Sequence, residues 1–132
     1  MKKKIIWVVD DDAIYQIIIN KIIQKSDIFS ESASFKNGKE AINALKNSIN
    51  DVDSIPDIIL LDINMPVMDG MDCARAVRAL ADKKKAAIPM IAITGNARNY
   101  SMDDFKAAGF NDFLAKPLNF DSLVSQVKAL TE

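Results

Sequence analysis

The chain reads as an α/β protein, a doubly wound parallel sheet of five strands with helices on both faces. Three observations predict it. Short apolar runs recur along the chain, bounded by polar or turn residues, and each has the length of a strand rather than of a buried helix. Between them lie segments whose apolar residues recur at helical spacing, so strand and helix alternate throughout. With right-handed crossovers, that alternation gives one parallel sheet. The most apolar run, Ile58-Ile59-Leu60-Leu61, is continuous rather than alternating, as in a strand covered on both faces.

Taken in order, Lys4 to Val9 (KIIWVV) is the first strand, stopped by Asp10, Asp11 and Asp12. Trp7 on this strand is read as core packing. A helix is predicted over Ala13 to Lys25, where isoleucines make helix and strand compete on propensity. The acidic residues at its start suit the positive end of a helix dipole and decide for helix. Ser30 to Phe35 alternates and reads as a less buried edge strand. Asn37-Gly38 turns into a helix over Lys39 to Asn47, and Asn47 to Pro56 is a polar connector. After the central strand, Met65, Pro66, Met68, Asp69 and Gly70 make a turn and a helix start, with Asp69 placed as the cap. That helix is predicted over Gly70 to Asp82 and closed by Lys83 to Lys85, cations that suit the negative end of its dipole. Cys73 on its inner side is a small core residue. Met90 to Ile93 is the fourth strand, and a helix over Ala97 to Ala108 stops at Gly109, a suitable residue for a C-terminal cap. Asn111 to Ala115 is the last strand and Phe120 to Leu130 the last helix. The 132 residues contain no repeat or linker, and one domain, 1–132, is expected.

Composition excludes several chemistries. There is no histidine and one cysteine, so His/Cys zinc sites, Ser-His catalysis and an internal disulfide are ruled out. The formal net charge of −1 gives no global field toward nucleic acid or an anionic membrane. No apolar run has the length of a membrane span, and the first residues lack a secretory apolar region. The expected compartment is the cytoplasm, and Lys2 to Lys4 is read as a solvated end.

The chemistry lies where the strands stop. Asp10 and Asp11 end the first strand, Asp62 the third, Thr94 the fourth and Lys116 the fifth, all on the edge where open α/β sheets bind ligands. Carboxylates brought together there raise one another's pKa values unless a cation joins them. An all-oxygen, negatively charged set suits a hard divalent ion, and Mg²⁺ needs only one or two carboxylates with water and phosphate oxygen. A cation, the Lys116 ammonium and the Thr94 hydroxyl match the needs of phosphoryl oxygens. Asp62 can then act as the nucleophile that forms an aspartyl phosphate.

Together, VVDDD (8–12), LLDINMPVMDG (60–70), ITG (93–95) and AKP (115–117) resemble the receiver domain of two-component response regulators, over essentially the whole chain. The resemblance implies the flavodoxin-like strand order 2-1-3-4-5, with Asp62 as phosphoacceptor and Asp62, Thr94 and Lys116 as the catalytic set. It also implies Asp11 as a direct Mg²⁺ ligand, Asp10 acting through water, Asp62 itself, and the Asn64 backbone carbonyl as a further ligand. Thr94 and Phe113 would form the switch, and the Lys116–Pro117 peptide would be cis. The sequence departs from the family in Gly95, where alanine is usual, in Phe113, which lacks a tyrosine hydroxyl, and in the long connector.

A chain of this kind would be a self-phosphorylating and self-dephosphorylating switch that turns over no independent substrate. Its implied donor is a sensor histidine kinase or a phosphotransfer protein. Its downstream protein target would dock on the fourth helix, fifth strand and fifth helix, around Tyr100, Asp104, Phe113 and Asp121. The implied state is a monomer or a weak phosphorylation-dependent dimer. An alternative is a Mg²⁺-dependent phosphatase with an aspartyl-phosphate intermediate, which would need a second acid where Asn64 stands and a substrate cap. A flavin or nucleotide binder would want a phosphate loop after the first strand, where three aspartates stand instead.

Overall fold

β3 (Ile58–Asp62) runs through the middle of the sheet, and all five of its residues are buried. Beside it lie β1 (Lys4–Val9) and then the edge strand β2 (Phe29–Phe35). On the other side lie β4 (Met90–Thr94) and the edge strand β5 (Asp112–Ala115). The structure, a computed structural model, describes residues 4–47, 55–65, 68–95 and 100–131. Every strand pairing is parallel, and the order β2-β1-β3-β4-β5 is the expected one. The helices are α1 (Ala13–Ser26), α2 (Gly38–Asn47), α3 (Gly70–Arg78), α4 (Lys83–Ala86), α5 (Met102–Ala108) and α6 (Phe120–Thr131).

The alternation of side chains along each strand divides the core into two. Trp7, Val9, Ile59, Leu61, Met90 and Ala92 face α2, α3 and α5, meeting Leu45, Cys73, Val77 and Phe105. Ile6, Val8, Ile58, Leu60, Ile91 and Ile93 face α1 and α6, meeting Ile19, Ile23, Leu123 and Val127. Trp7 packs on Phe35 with ring centroids 4.8 Å apart, as core. Cys73 is buried too, and burial pushes its thiol up to about 12, so it is inert at neutral pH.

Local capping explains where the helices begin. Asp12 accepts from the N–H groups of Ile14 and Tyr15, and Asp69 from that of Asp72. The stretch after α3 differs from the expectation. The helix ends at Arg78, and Asp82 accepts from the N–H groups of Lys84 and Lys85 to start α4. The lysines read as closing one helix therefore form another, and the described helices number six rather than five. α5 likewise begins at Met102 behind a capping box of Ser101 and Asp104. The predicted start at Ala97, and most of the 47–56 connector, lie outside the described residues.

Beyond the amino-terminal ends of β4 and β5, Arg78 joins three chain segments. Its Nε donates to Gly109 O at 2.9 Å, its Nη1 to Ala86 O and Ile88 O at 2.7 Å each, and its Nη2 to Asn111 Oδ1 at 2.9 Å. Asn111 Oδ1 also accepts from Met90 N–H at 2.9 Å. Gly109 sits beside this cluster at φ 111°, and a Cβ there would lie 2.6 Å from Arg78 Cγ. A side chain is therefore excluded by both backbone and space.

Candidate functional site

Sheet register assembles the site. Val9 pairs with Leu61, so Asp10 leaves β1 at the level of Asp62. Asp62 pairs with Ile93 and Thr94 with Ala115, which puts Lys116 one step beyond Thr94. Lys116 N–H then donates to Thr94 O at 2.8 Å, and the Lys116–Pro117 peptide is cis, as expected. Asp10, Asp62 and Thr94 are 1%, 3% and 0% exposed, whereas Asp11 and Asn64 face solvent. One carboxylate oxygen from each of Asp10, Asp11 and Asp62 lies within 4.8 Å of the others.

Gly70 makes the turn after β3 possible. A Cβ on Gly70 would stand 2.5 Å from both Asp62 O and Ile63 Cα. Its N–H donates to Ile63 O at 3.1 Å, so the start of α3 presses directly on the backbone that carries Asp62. Only a glycine fits this approach.

The carboxylates are partly satisfied. Asp62 Oδ1 accepts from Asn64 N–H at 3.2 Å, and Asp10 Oδ1 from Asp12 N–H at 2.9 Å. Lys116 Nζ stands 3.7 Å from Asp62 Oδ2 and 3.8 Å from Asp10 Oδ2, at ion-pair but not hydrogen-bond distance. Asp10 Oδ2 is buried and accepts no hydrogen bond. Burial, reinforced by the Asp10 charge, raises the Asp62 carboxyl to about 6, with the Asn64 N–H and Lys116 opposing the rise. Burial raises Asp10 as well, against the Asp12 N–H and Lys116. Two carboxylates whose burial favours the neutral form, one with an orphaned oxygen, make a site electrically incomplete without a further cation. A divalent ion with all-oxygen ligands fits that set.

Several contributors escape sequence reading. Tyr15 places its ring 4.1 Å from Lys116 Nζ. Gln16 Nε2 donates to Asp10 O at 3.0 Å and Phe35 O at 3.2 Å, holding the exits of β1 and β2 together. Both stand in the first turns of α1, directly after the acidic run, the one local cue to either. Phe113, half-buried on β5, turns inward and stacks on Phe105 at 4.9 Å and 22°. Asp104 is engaged in the α5 capping box, while Tyr100 packs on Phe105 at 5.6 Å. Because α4 is an extra helix, the expected docking face is α5-β5-α6.

A family model, the response regulator receiver domain, matches residues 6–128. The chain belongs to that family. Hybrid signal transduction histidine kinase M of Dictyostelium discoideum is 33% identical over 126 residues, 95% of this chain and 5% of that protein. Two-component response regulator 24 of Arabidopsis thaliana is 32% identical over 118 residues, 89% of this chain and 77% of that protein. This receiver domain thus spans a small part of a hybrid kinase and most of a response regulator. Among solved structures, the receiver domain of sensor histidine kinase PA1611 from Pseudomonas aeruginosa PAO1 matches with a TM-score of 0.81 at 25% identity. The match covers 98% of each chain, and that structure carries a magnesium ion coordinated in its active site cleft.

Proposed function

We propose that this receiver domain accepts a phosphoryl group on Asp62 from a phosphohistidine, in a Mg²⁺-dependent reaction it catalyses itself. The observation that carries the reading is a buried carboxylate at the end of the central strand, flanked by a second buried carboxylate and an ammonium. Asp10, Asp11, Asp62 and the Asn64 carbonyl would hold the ion, and the orphaned Asp10 Oδ2 supports that fit. When bound, Mg²⁺ supplies positive charge against the phosphoryl oxygens. In the transfer, an Asp62 oxygen forms the P–O bond as the donor's P–N bond breaks. The released electron pair stays on the imidazole nitrogen, which takes a proton from water. Lys116 and the Thr94 hydroxyl bind phosphoryl oxygens, and Thr94 with Phe113 carries the change to β5. Hydrolysis of the acyl phosphate resets the switch, and no independent substrate is turned over.

The partners in this reading are proteins. Ile14, Ile17 and Ile18 on α1 are 68%, 56% and 39% exposed, an apolar stripe starting one turn from the acidic pocket. Its closeness to Asp62 suits the histidine kinase or phosphotransfer protein that must bring a phosphohistidine there. The α5-β5-α6 face is left for the downstream target. With a net charge of −1 and no membrane-length apolar helix among the described residues, we assign a cytoplasmic domain without nucleic-acid or membrane partners. It acts as a monomer or a weak phosphorylation-dependent dimer.

Acetyl phosphate with Mg²⁺ should add one phosphoryl group by mass, labile to hydroxylamine. Asp62→Asn or EDTA should abolish the gain. Undiminished labelling of Asp62→Asn would overturn the phosphoacceptor, and full labelling in EDTA would remove the metal. Ile17→Lys should slow transfer from a phosphorylated phosphotransfer protein but not labelling by acetyl phosphate. Equal rates from the protein donor would clear α1 of a docking role.

A further inference from the structure

Three attractions act on the Lys116 ammonium: two carboxylates, at 3.8 Å and 3.7 Å, and the Tyr15 ring, with its centroid at 4.1 Å. Neither carboxylate contact closes to the 2.7–2.9 Å or so of a charge-assisted hydrogen bond. That is unexpected for a flexible lysine, only 18% exposed, beside an Asp10 oxygen that accepts no hydrogen bond. The Tyr15 ring offers an attraction that competes with the carboxylates. An aromatic face attracts an ammonium through its quadrupole, and more strongly in a partly desolvated site.

Both ends of this contact are anchored. Tyr15 lies in the first turn of α1, where its N–H donates to the Asp12 cap at 3.4 Å. Lys116 is tied to Thr94 O through its own N–H at 2.8 Å. The ring face of Tyr15, 4.1 Å from Lys116 Nζ, is the part of the residue that meets the site. From these contacts we infer that Tyr15 is a positioning residue that sets where the Lys116 ammonium stands. The ring holds the ammonium within reach of a phosphoryl group on Asp62 and off the carboxylate oxygens that a cation would use. The role rests on the reading of Asp62 and Lys116 as the phosphoryl site, and it adds a residue on α1 to that site. Without the ring, the lysine closes onto Asp10 and Asp62, competing with the metal and starting from the wrong place to meet the phosphoryl group.

The test compares Tyr15→Phe, which keeps the ring, with Tyr15→Leu and Tyr15→Met, which do not. In the unphosphorylated protein, the Lys116 side-chain methylene protons next to Nζ should show an upfield ring-current shift. The shift should persist in Tyr15→Phe and vanish in both non-aromatic variants. Labelling by acetyl phosphate with Mg²⁺ should fall about three- to tenfold in the non-aromatic variants, and within about twofold in Tyr15→Phe, whose contact is of the same class. In a Lys116→Ala background, replacing Tyr15 by Leu should have no further effect, because both changes remove one interaction. An unshifted Lys116 in wild type, equal losses for Phe and Leu, or additive losses in the Lys116→Ala background would each overturn the role. Labelling that survives Asp62→Asn would instead break the phosphoacceptor reading. The ring-current shift, measured without phosphorylation, would still report whether Tyr15 places Lys116.

Discussion

Arg78 and Asp62 lie at opposite ends of one sheet, and each takes a charge at least partly out of water. Burial lowers the Arg78 pKa, yet its guanidinium makes four hydrogen bonds, all to carbonyl oxygens. Asn111, the one side chain among those acceptors, is itself shared with the Met90 N–H. At the other end, Asp62 and Asp10 face each other with one hydrogen bond apiece from the backbone, one ammonium held at a distance and one orphaned oxygen. The same sheet thus carries a hydrogen-bonded charge at one end and, at the other, a carboxylate pair with one orphaned oxygen. Gln16 Oε1, Asn20 Oδ1 and Gln126 Oε1 are buried without partners too. Asp10 is the one charged group among these, and a mismatched buried charge points to the working end.

That contrast can be broken from either side. Arg78→Ala should have the largest effect on the fold, because it leaves the turns before β4 and β5 without their common donor. A loss of about 3 kcal/mol is expected from removing several bonds to a charged group, read as a lower urea midpoint with phosphorylation retained by the folded fraction. A loss under about 1 kcal/mol would place the Arg78 bonds with ordinary surface contacts.

Neutralising Asp62 should act in the opposite direction. Its carboxyl is raised from 3.8 to about 6 in the folded state. A raised folded pKa means the native state binds the proton more tightly than the unfolded chain does. Its stabilising contribution is fully present below about pH 4 and lost as pH rises through about 6. At pH 7.5 in EDTA, Asp62→Asn should therefore be more stable than wild type, by on the order of 1–3 kcal/mol given the size of the shift. The advantage should fade as pH drops toward 4, and shrink in millimolar Mg²⁺, which stabilises the wild type by binding. Asp11→Asn should gain less, because Asp11 faces solvent. A pH-independent difference, or none in EDTA, would mean that the carboxylate is not held against its charge.

The same two ends show what a linear sequence can disclose. Asp10, Asp62, Thr94 and Lys116 are each legible because an apolar run stops at a polar residue, and all strand exits lie on one edge of a parallel sheet. The strand order and the expectation of a switch at Phe113 come from the family resemblance, and the stacking of Phe113 on Phe105 has no local signature. Arg78 is invisible for a related reason. Its acceptors are main-chain carbonyls and an asparagine in turns that only the tertiary fold brings together. The contact between Tyr15 and Lys116 likewise joins the first helix to the last strand exit. The α3–α4 break is hidden because Lys83 to Lys85 suit a helix end electrostatically, while the Asp82 side chain captures the N–H groups of Lys84 and Lys85 and starts a new turn. Local capping wins over the dipole argument.

Glycines at the working end allow the finest comparison. Gly70 is fixed by its neighbours, since a Cβ would sit 2.5 Å from the backbone of Asp62 and Ile63. Gly95, just past Thr94, departs from the family's usual alanine. Space does not demand it. The nearest atom to a Cβ there is Lys116 Cδ at 3.9 Å, an ordinary van der Waals contact, and the Gly95 φ lies outside the left-handed range. Gly95→Ala should therefore stabilise the protein by about 0.4–1 kcal/mol, chiefly by narrowing the unfolded chain's conformations. It would also pack a methyl group against the stem of Lys116. The urea midpoint should rise slightly with an unchanged slope, and labelling by acetyl phosphate should continue. A lower midpoint would mean that the backbone at 95 needs a freedom alanine lacks.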